Sequence, residues 1–288
     1  MLNRVRIRVH SWGGLGSQLF ALATAFQLHQ KFPKRKILLV VHSSGVTYRP
    51  LELDFQGDWL RIAFLDDFTD SAHFQKGISS VRRFNPRKVF KIFLSTSGFM
   101  NSMNTDSEVK RLKPWVTSVR GHYSHKKMDS DALRFLSQIL DITLIGSKLN
   151  SAIGVHYRLG DLLTLDSKSF ISERLLVEQL LFLRDRFKLS KIDVFTDSPS
   201  EARILLRQID TNLDVLSRET VTTIQDLISY KVFLGTNSKI SIWITLFRLT
   251  ADPKSIVFLP SQSREEISRI LVGFSSRKNL HFFDCSEM

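Results

Sequence analysis

The 288-residue chain holds one cysteine, Cys285, so no disulfide can form within it, and a reducing compartment is the expected setting. No apolar run approaches the roughly 18 to 20 residues that a membrane-spanning helix needs. The opening MLNRVRIRVH carries arginines where a secretory leader would carry its apolar core, so a cytoplasmic location is expected. Internal repeats and low-complexity tracts are missing as well. Acid is scarce: 41 Lys and Arg face 28 Asp and Glu, a net charge of +13. The rest is ordinary, with 43% hydrophobic and 24% charged residues, which excludes a disordered or fibrous chain and leaves a globular one long enough for one large or two average domains.

The charge is unevenly spread. Residues 1–150 hold 23 basic against 11 acidic residues, and residues 151–288 hold 18 against 17. Either the first half faces something anionic, such as a membrane surface, a lipid diphosphate or nucleic acid, or the surplus only keeps the protein soluble.

Periodicity predicts alternating strands and helices. RVRIRV (4–9) alternates strictly and predicts a strand with an arginine face. Helical spacing runs from Ser17 to Phe32, with Pro33 closing it, and KILLVV (36–41) predicts a buried strand. Residues 66–115 are mixed and basic, with no clear boundaries. Later, AIGVHY (152–157), KIDVFT (191–196), LDVL, VFLG (232–235) and SIVFLP (255–260) predict strands, separated by helices within 170–188, from Pro199, over 223–230 and over 239–249. Such alternation predicts parallel sheets with covered faces. The expectation is two α/β domains facing a cleft, over residues 1–145 and 146–288.

Three stretches carry chemistry. The first, SWGGLGSQLF (11–20), places glycines between a strand and a helix, where bare N–H groups suit an anion. It is not a dinucleotide loop, because Leu19 stands where a third glycine is needed and the second strand ends without a carboxylate. It is not a Walker loop either, and a tight structural turn accounts for it equally well. The second, GVHYRLGD (154–161), puts His156 and Arg158 at the end of a strand, with Asp161 after Gly160. An always-charged Arg there suits a phosphate, although an Arg–Asp surface pair beside a packed histidine is an equal alternative. The third, DLISYKVFLGTNSKISIW (226–243), sets Thr236, Asn237 and Ser238 at a helix start, as an anion cradle or as plain N-capping. Asp226 has the alternative of an early-helix acid, and Asp197 in FTDSP that of a cap.

In this order the stretches resemble the α-1,2-fucosyltransferases of bacteria and animals, a family of inverting glycosyltransferases. The G-G-L-G-N-Q element of that family is similar to Gly13-Gly14-Leu15-Gly16-Ser17-Gln18, and R-P-x-x-L-x-x-F to the segment Arg49–Phe55. G-Y-[FW] resembles Gly121-His122-Tyr123. H-x-R-R-x-D is matched by His156, Arg158 and Asp161, and N-S-[ST]-F-S-W-W resembles Asn237–Trp243. Departures fall at Ser17, His122, Leu159, Lys239, Ile240 and Ile242, which leaves a nucleotide sugar as a broader expectation than fucose itself.

The resemblance implies a glycosyltransferase B-type fold: two Rossmann-like domains, the first taking the acceptor and the second a GDP-sugar donor. It implies Arg158 on the donor diphosphate, His156 beside the nucleotide, Asn237 and Ser238 at phosphate oxygens, and Asp226 on the guanine edge. Gly14, Gly16 and Gln18 would close the diphosphate side. No cofactor beyond the GDP-fucose substrate and no metal is expected. An acceptor hydroxyl must lose a proton, for which Asp161, Asp54 and His10 are candidates, with Arg158 and Asp161 as the catalytic pair. Asp129-Ser130-Asp131 has the D-x-D form of a metal site, but an N-cap and a first-turn acid explain it.

The expected partner is a glycan or lipid-linked oligosaccharide, in surface polysaccharide synthesis at the inner membrane face, with no nucleic acid. The alternatives are a degenerate homologue that binds sugar nucleotide without turnover and a basic nucleic-acid-binding protein, for which RRFNPRKVFK (82–91) is the only candidate stretch.

Overall fold

A computed structural model describes residues 6–44, 48–67, 97–102, 112–121, 123–142, 150–160, 171–209, 212–271 and 277–285. Asp161, His122 and the basic stretch 82–91 lie outside the described residues. The chain divides into two units, Met1–Ala132 and Leu133–Met288.

The first unit is a five-stranded sheet in the order β3-β2-β1-β5-β4, with every pairing parallel. Its strands are β1 (Ile7–Trp12), β2 (Ile37–His42), β3 (Leu60–Leu65), β4 (Met100–Ser102) and β5 (Ser118–Arg120). The alternation in RVRIRV is realised: Ile7 and Val9 are fully buried, while Arg6 and Arg8 are exposed. Helix α1 (Leu15–Lys31) follows β1 directly and starts from Gly14 in extended geometry. Its leucines, alanines and Phe20 are good helix formers or core fillers and are buried from Leu15 to Ala25. The chain leaves the helix at Phe32, because Pro33 disfavours helical geometry in the residue before it. Helix α2 (Ser130–Ile139) contains the division between the units. Asp129 Oδ1 accepts from the Ala132 N–H at 2.7 Å, so the D-x-D acid is an N-cap, as the local pattern predicts.

The second unit is a six-stranded parallel sheet in the order β11-β10-β9-β6-β7-β8. Its strands are β6 (Asn150–His156), β7 (Lys191–Phe195), β8 (Asn212–Leu216), β9 (Tyr230–Gly235), β10 (Ile256–Pro260) and β11 (Leu280–Phe283). Between them run α3 (Glu173–Phe187), α4 (Pro199–Leu205), α5 (Thr220–Ile228), α6 (Lys239–Ala251) and α7 (Arg264–Ile270). Leu176, Leu180 and Leu183 of α3 lie at helical spacing and are fully buried with Ile153, Val155, Ile192 and Val194. Each such side chain contributes about 1.5–3 kcal/mol by leaving water. Gly154 sits where a Cβ would come 2.6 Å from the Tyr230 ring, so that ring packs directly on the β6 backbone.

Strands successive in sequence step outward in both directions from β6 and β9. The order therefore reverses between those two. In open parallel sheets ligands bind outside the carboxyl ends of the strands at such a reversal. The fold is α/β with two Rossmann-like sheets, as the alternation of elements predicts.

Candidate functional site

The β6/β9 reversal gathers most of the second-unit residues singled out in the sequence. β6 ends at His156, and the chain continues through Arg158 to Gly160, whose φ of +24° suits glycine. The Arg158 N–H donates to Thr236 Oγ1 at 3.2 Å, which ties the loop after β6 to the loop after β9. Asp197, just beyond β7, accepts from the Leu159 and Gly160 N–H groups at 2.9 and 3.0 Å. Its role is to clamp this loop, rather than to cap the helix that follows it. Leu159, where the family motif has a second arginine, is fully buried in the core.

Helix α6 opens over the same place. Ser238 is its N-cap, with Oγ accepting from the Ser241 N–H at 3.1 Å. Ser241 Oγ accepts from the Thr236 N–H at 3.1 Å and lies 2.8 Å from His156 Nδ1. Ser238 Oγ also donates to Ser241 Oγ at 3.3 Å, so with both lone pairs taken the Ser241 hydroxyl proton is placed for Nδ1, which leaves the ring proton on Nε2. Burial, and then the neighbouring Arg158, lower the His156 pKa to about 3, so the ring is neutral at pH 7 and acts only as a donor from Nε2. Asn237 Oδ1 accepts from Ser263 Oγ at 3.2 Å.

Lys239, one of the departures from the late family motif, is the first residue of α6. Burial lowers its pKa, and the charges of Glu266 and then Arg158 act on it in opposite directions. The loop that carries Arg158, His156 at the end of β6, and the positive end of the 13-residue helix α6, which begins with Lys239, thus share one sheet edge. What this edge can do chemically is hold a multiply charged anion such as a diphosphate.

Asp226 is elsewhere. It closes α5, where its carbonyl accepts from the Ser229 N–H at 3.1 Å, and its charge acts on Tyr230, the first residue of β9. Tyr230 donates to Asp193 Oδ2 at 2.7 Å. Asp226 therefore sits at the amino ends of the strands, the length of β9 away from Ser238.

The glycine stretch of the first unit meets an anion of its own chain. Gly13 has a φ of +100°, and past it the Leu15 N–H donates to Glu52 Oε1 at 2.7 Å. Gln18 is fully buried; its Nε2 donates to Pro50 O at 2.8 Å and to Gly13 O at 3.2 Å, and its Oε1 accepts from the Glu52 N–H at 3.1 Å. The elements that read GGLGSQ and RPLELDF thus form one internal structure, and the Glu52 carboxylate occupies the α1 N-terminus. Gly14 and Gln18 serve this packing. A Cβ on Gly14 would lie 3.1 Å from Glu52 Oε1.

Beside this turn, at the carboxyl end of the first sheet, lies a chain of side chains that the sequence did not join. His10 Nδ1 is 2.9 Å from His42 Nε2, and His42 Nδ1 is 2.6 Å from Asp67 Oδ2. Trp12 stacks on His42 with ring centroids 4.6 Å apart. Among the described residues no group of three or more His, Cys, Asp or Glu is placed to hold a metal ion, and no helix is long and apolar enough to cross a membrane.

No protein-family model and no curated protein matches the chain. Among solved structures it is similar to E. coli heptosyltransferase WaaC with ADP, at 13% identity over 97% of this chain and 93% of that one, with a TM-score of 0.44. It is also similar to the family 9 glycosyl transferase from Veillonella parvula, at 12% identity over 88% and 80%, with a TM-score of 0.45. A third similar structure is POFUT1 in complex with GDP, at 13% identity over 90% and 99%, with a TM-score of 0.39.

Proposed function

We propose that the chain is an inverting glycosyltransferase that takes a sugar from a nucleotide diphosphate donor to a hydroxyl of a glycan acceptor. The observation that carries this reading is the meeting of the Arg158 loop, His156 and the α6 N-terminus with Lys239 at the β6/β9 reversal. In the transfer, the bond from the anomeric carbon to the diphosphate oxygen breaks and charge builds on the leaving group. Fixed cations and helix N–H groups at that oxygen lower the barrier, because they are oriented before the charge develops. The ordered motif set favours GDP-fucose as donor, with Asn237 and Ser238 near the phosphates and no cofactor beyond the donor. Asp226, at the other end of the sheet, has no part in this proposal. Surface polysaccharide synthesis on a lipid-linked acceptor, at the cytoplasmic membrane face, is the setting proposed for it.

Calorimetry with GDP, ADP and UDP, followed by transfer from GDP-fucose to oligosaccharides with and without a chelator, tests the reading. Arg158→Ala is expected to weaken nucleoside diphosphate binding at least tenfold, the loss of one bidentate charge-assisted contact. Nucleotide binding that is indifferent to this change sinks the site assignment. Tight GDP binding with no transfer to any acceptor would mark a non-catalytic homologue.

A further inference from the structure

Gly235, the last residue of β9, lies beside His156 in the parallel register of β9 and β6. A Cβ on Gly235 would come 2.8 Å from the Ser241 Cβ and 2.6 Å from Leu259 Cδ2, closer than real Cβ atoms pack. The missing side chain is therefore what lets the first turn of α6 settle on the end of β9. It brings the fully buried Ser241 hydroxyl across to the neighbouring strand.

There the hydroxyl has three partners. The Thr236 N–H donates to Ser241 Oγ at 3.1 Å, Ser238 Oγ donates to it at 3.3 Å, and His156 Nδ1 lies 2.8 Å away. Two lone pairs and one proton account for all three, with the proton on the histidine side. Burial, and then Arg158, keep a second proton off the ring at neutral pH, so the choice of nitrogen falls to the serine. His156 is 9% exposed, and among the described residues its Nε2, across the ring from Ser241, has no hydrogen-bond partner. Thr236, whose N–H Ser241 holds, accepts the Arg158 N–H on Oγ1 at 3.2 Å. One buried hydroxyl thus stands behind both the ring and the loop.

We propose that Ser241 is a positioning residue of this edge: it makes His156 an Nε2–H donor for a phosphoryl oxygen and, through Thr236, holds the loop that carries Arg158. This rests on the glycosyltransferase reading, which supplies the diphosphate. A nitrogen that carries its proton donates to an acceptor oxygen and cannot ligate a metal ion. Ser241 touches no ligand itself, since Ser238, the N-cap, and His156 lie between it and the edge.

Three measurements on the full chain test the assignment. Long-range nitrogen-15 spectra at pH 7.5 are expected to show His156 as the Nε2–H tautomer, and Ser241→Ala is expected to erode that preference. Calorimetry is expected to show GDP bound roughly fivefold more weakly by Ser241→Ala, the share of about one hydrogen bond. In an Arg158→Ala background the same change is expected to cost less, because the part that ran through the loop is gone. His156 found as the Nδ1–H tautomer in the parent protein overturns the proposal, and so does Ser241→Ala binding GDP as the parent does. An equal penalty with and without Arg158 overturns the link to the loop. The parent spectrum needs no variant, so a Ser241→Ala chain that fails to fold still leaves the tautomer to decide. A parent protein with the Nε2–H tautomer that binds none of GDP, ADP and UDP overturns the glycosyltransferase reading instead, and with it the phosphoryl ligand.

Discussion

Glu52 shows how one residue changes the meaning of a motif. By sequence alone the GGLGSQ turn has the form of an anion-binding strand-to-helix turn. The carboxylate that fills it stands 37 residues further on and donates no pattern that links it to the turn. Glu52→Ala removes both the acceptor for the Leu15 N–H and a negative charge at the positive end of α1. A loss of about 1 kcal/mol is expected from capping and dipole terms together, read as a lower urea midpoint with unchanged slope. Glu52→Gln, which keeps an acceptor without the charge, is expected to lose less. A carboxylate that was mere surface decoration would leave both midpoints where they are. Asp197 behaves similarly: a Cβ on Gly160 would collide with its carboxylate, so Gly160→Ala is expected to disrupt the loop that carries Arg158 and to weaken nucleotide binding with it.

At the scale of elements, α5 and α6 are joined by a buried cation. Arg248, in the last turns of α6 and 1% exposed, donates from Nη1 to the Leu227 and Ile228 carbonyls at 2.8 and 3.0 Å, closing the C-terminus of α5. The guanidinium also lies over the Phe233 ring, 5.7 Å from its centroid. Burial lowers its pKa to about 9, so it stays charged at neutral pH. Arg248→Met fills much of the same volume but orphans these carbonyls, with an expected cost on the order of 3 kcal/mol in urea unfolding. A cost under about 1 kcal/mol would mean that water replaces the guanidinium. No pattern in TLFRLTAD distinguishes this arginine from a solvent-facing one. Strands β6 to β10 and helices α3 to α6 of the second unit, by contrast, are legible from alternation alone, because buried parallel strands are short, apolar and punctuated, whereas α7 is not. β3, β4, β5 and β11 carry no legible strand pattern: LRIAFL is an edge strand with half-exposed positions, and MNS, SVR and LHFF are too short to show a period. The strand-end positions of His156 and Ser238 were legible for the same reason. Asp226 was misplaced because twelve residues of sequence span a helix end and a whole strand, which carries it across the sheet. The surroundings of Lys239 and the joining of His10 to His42 and Asp67 are not legible in the sequence, since they depend on neighbours brought in by tertiary pairing.

For the molecule as a whole, charge and burial act on different observables. The basic surplus of residues 1–150 is expected to draw the protein to vesicles rich in anionic lipid, and to release it as salt rises from about 50 to 300 mM, since screening shortens the reach of surface charge. Binding that ignores ionic strength would contradict an electrostatic origin. Burial instead sets the response to acid. His156 and His10 have folded pKa values of about 3 and about 4, against 6.5 for the free side chain, each lowered first by burial. His281 is lowered in the same direction by burial and Arg186. A depressed histidine means that the unfolded chain binds more protons than the folded one below about pH 6.5. Stability is therefore fully present above that pH and falls as pH drops through the window down to the folded values. Each such histidine steepens the fall by up to about 1.4 kcal/mol per pH unit, before any carboxylate of the unfolded chain titrates. Urea unfolding at pH 7.5, 6.0 and 5.0 measures this slope. His156→Asn is expected to lower stability at pH 7.5, because the serine contacts are lost, yet to flatten the slope by about one histidine's share. A variant as acid-sensitive as the parent would place the proton uptake elsewhere. It would also remove the ground for treating His156 as a neutral Nε2–H donor at the diphosphate edge.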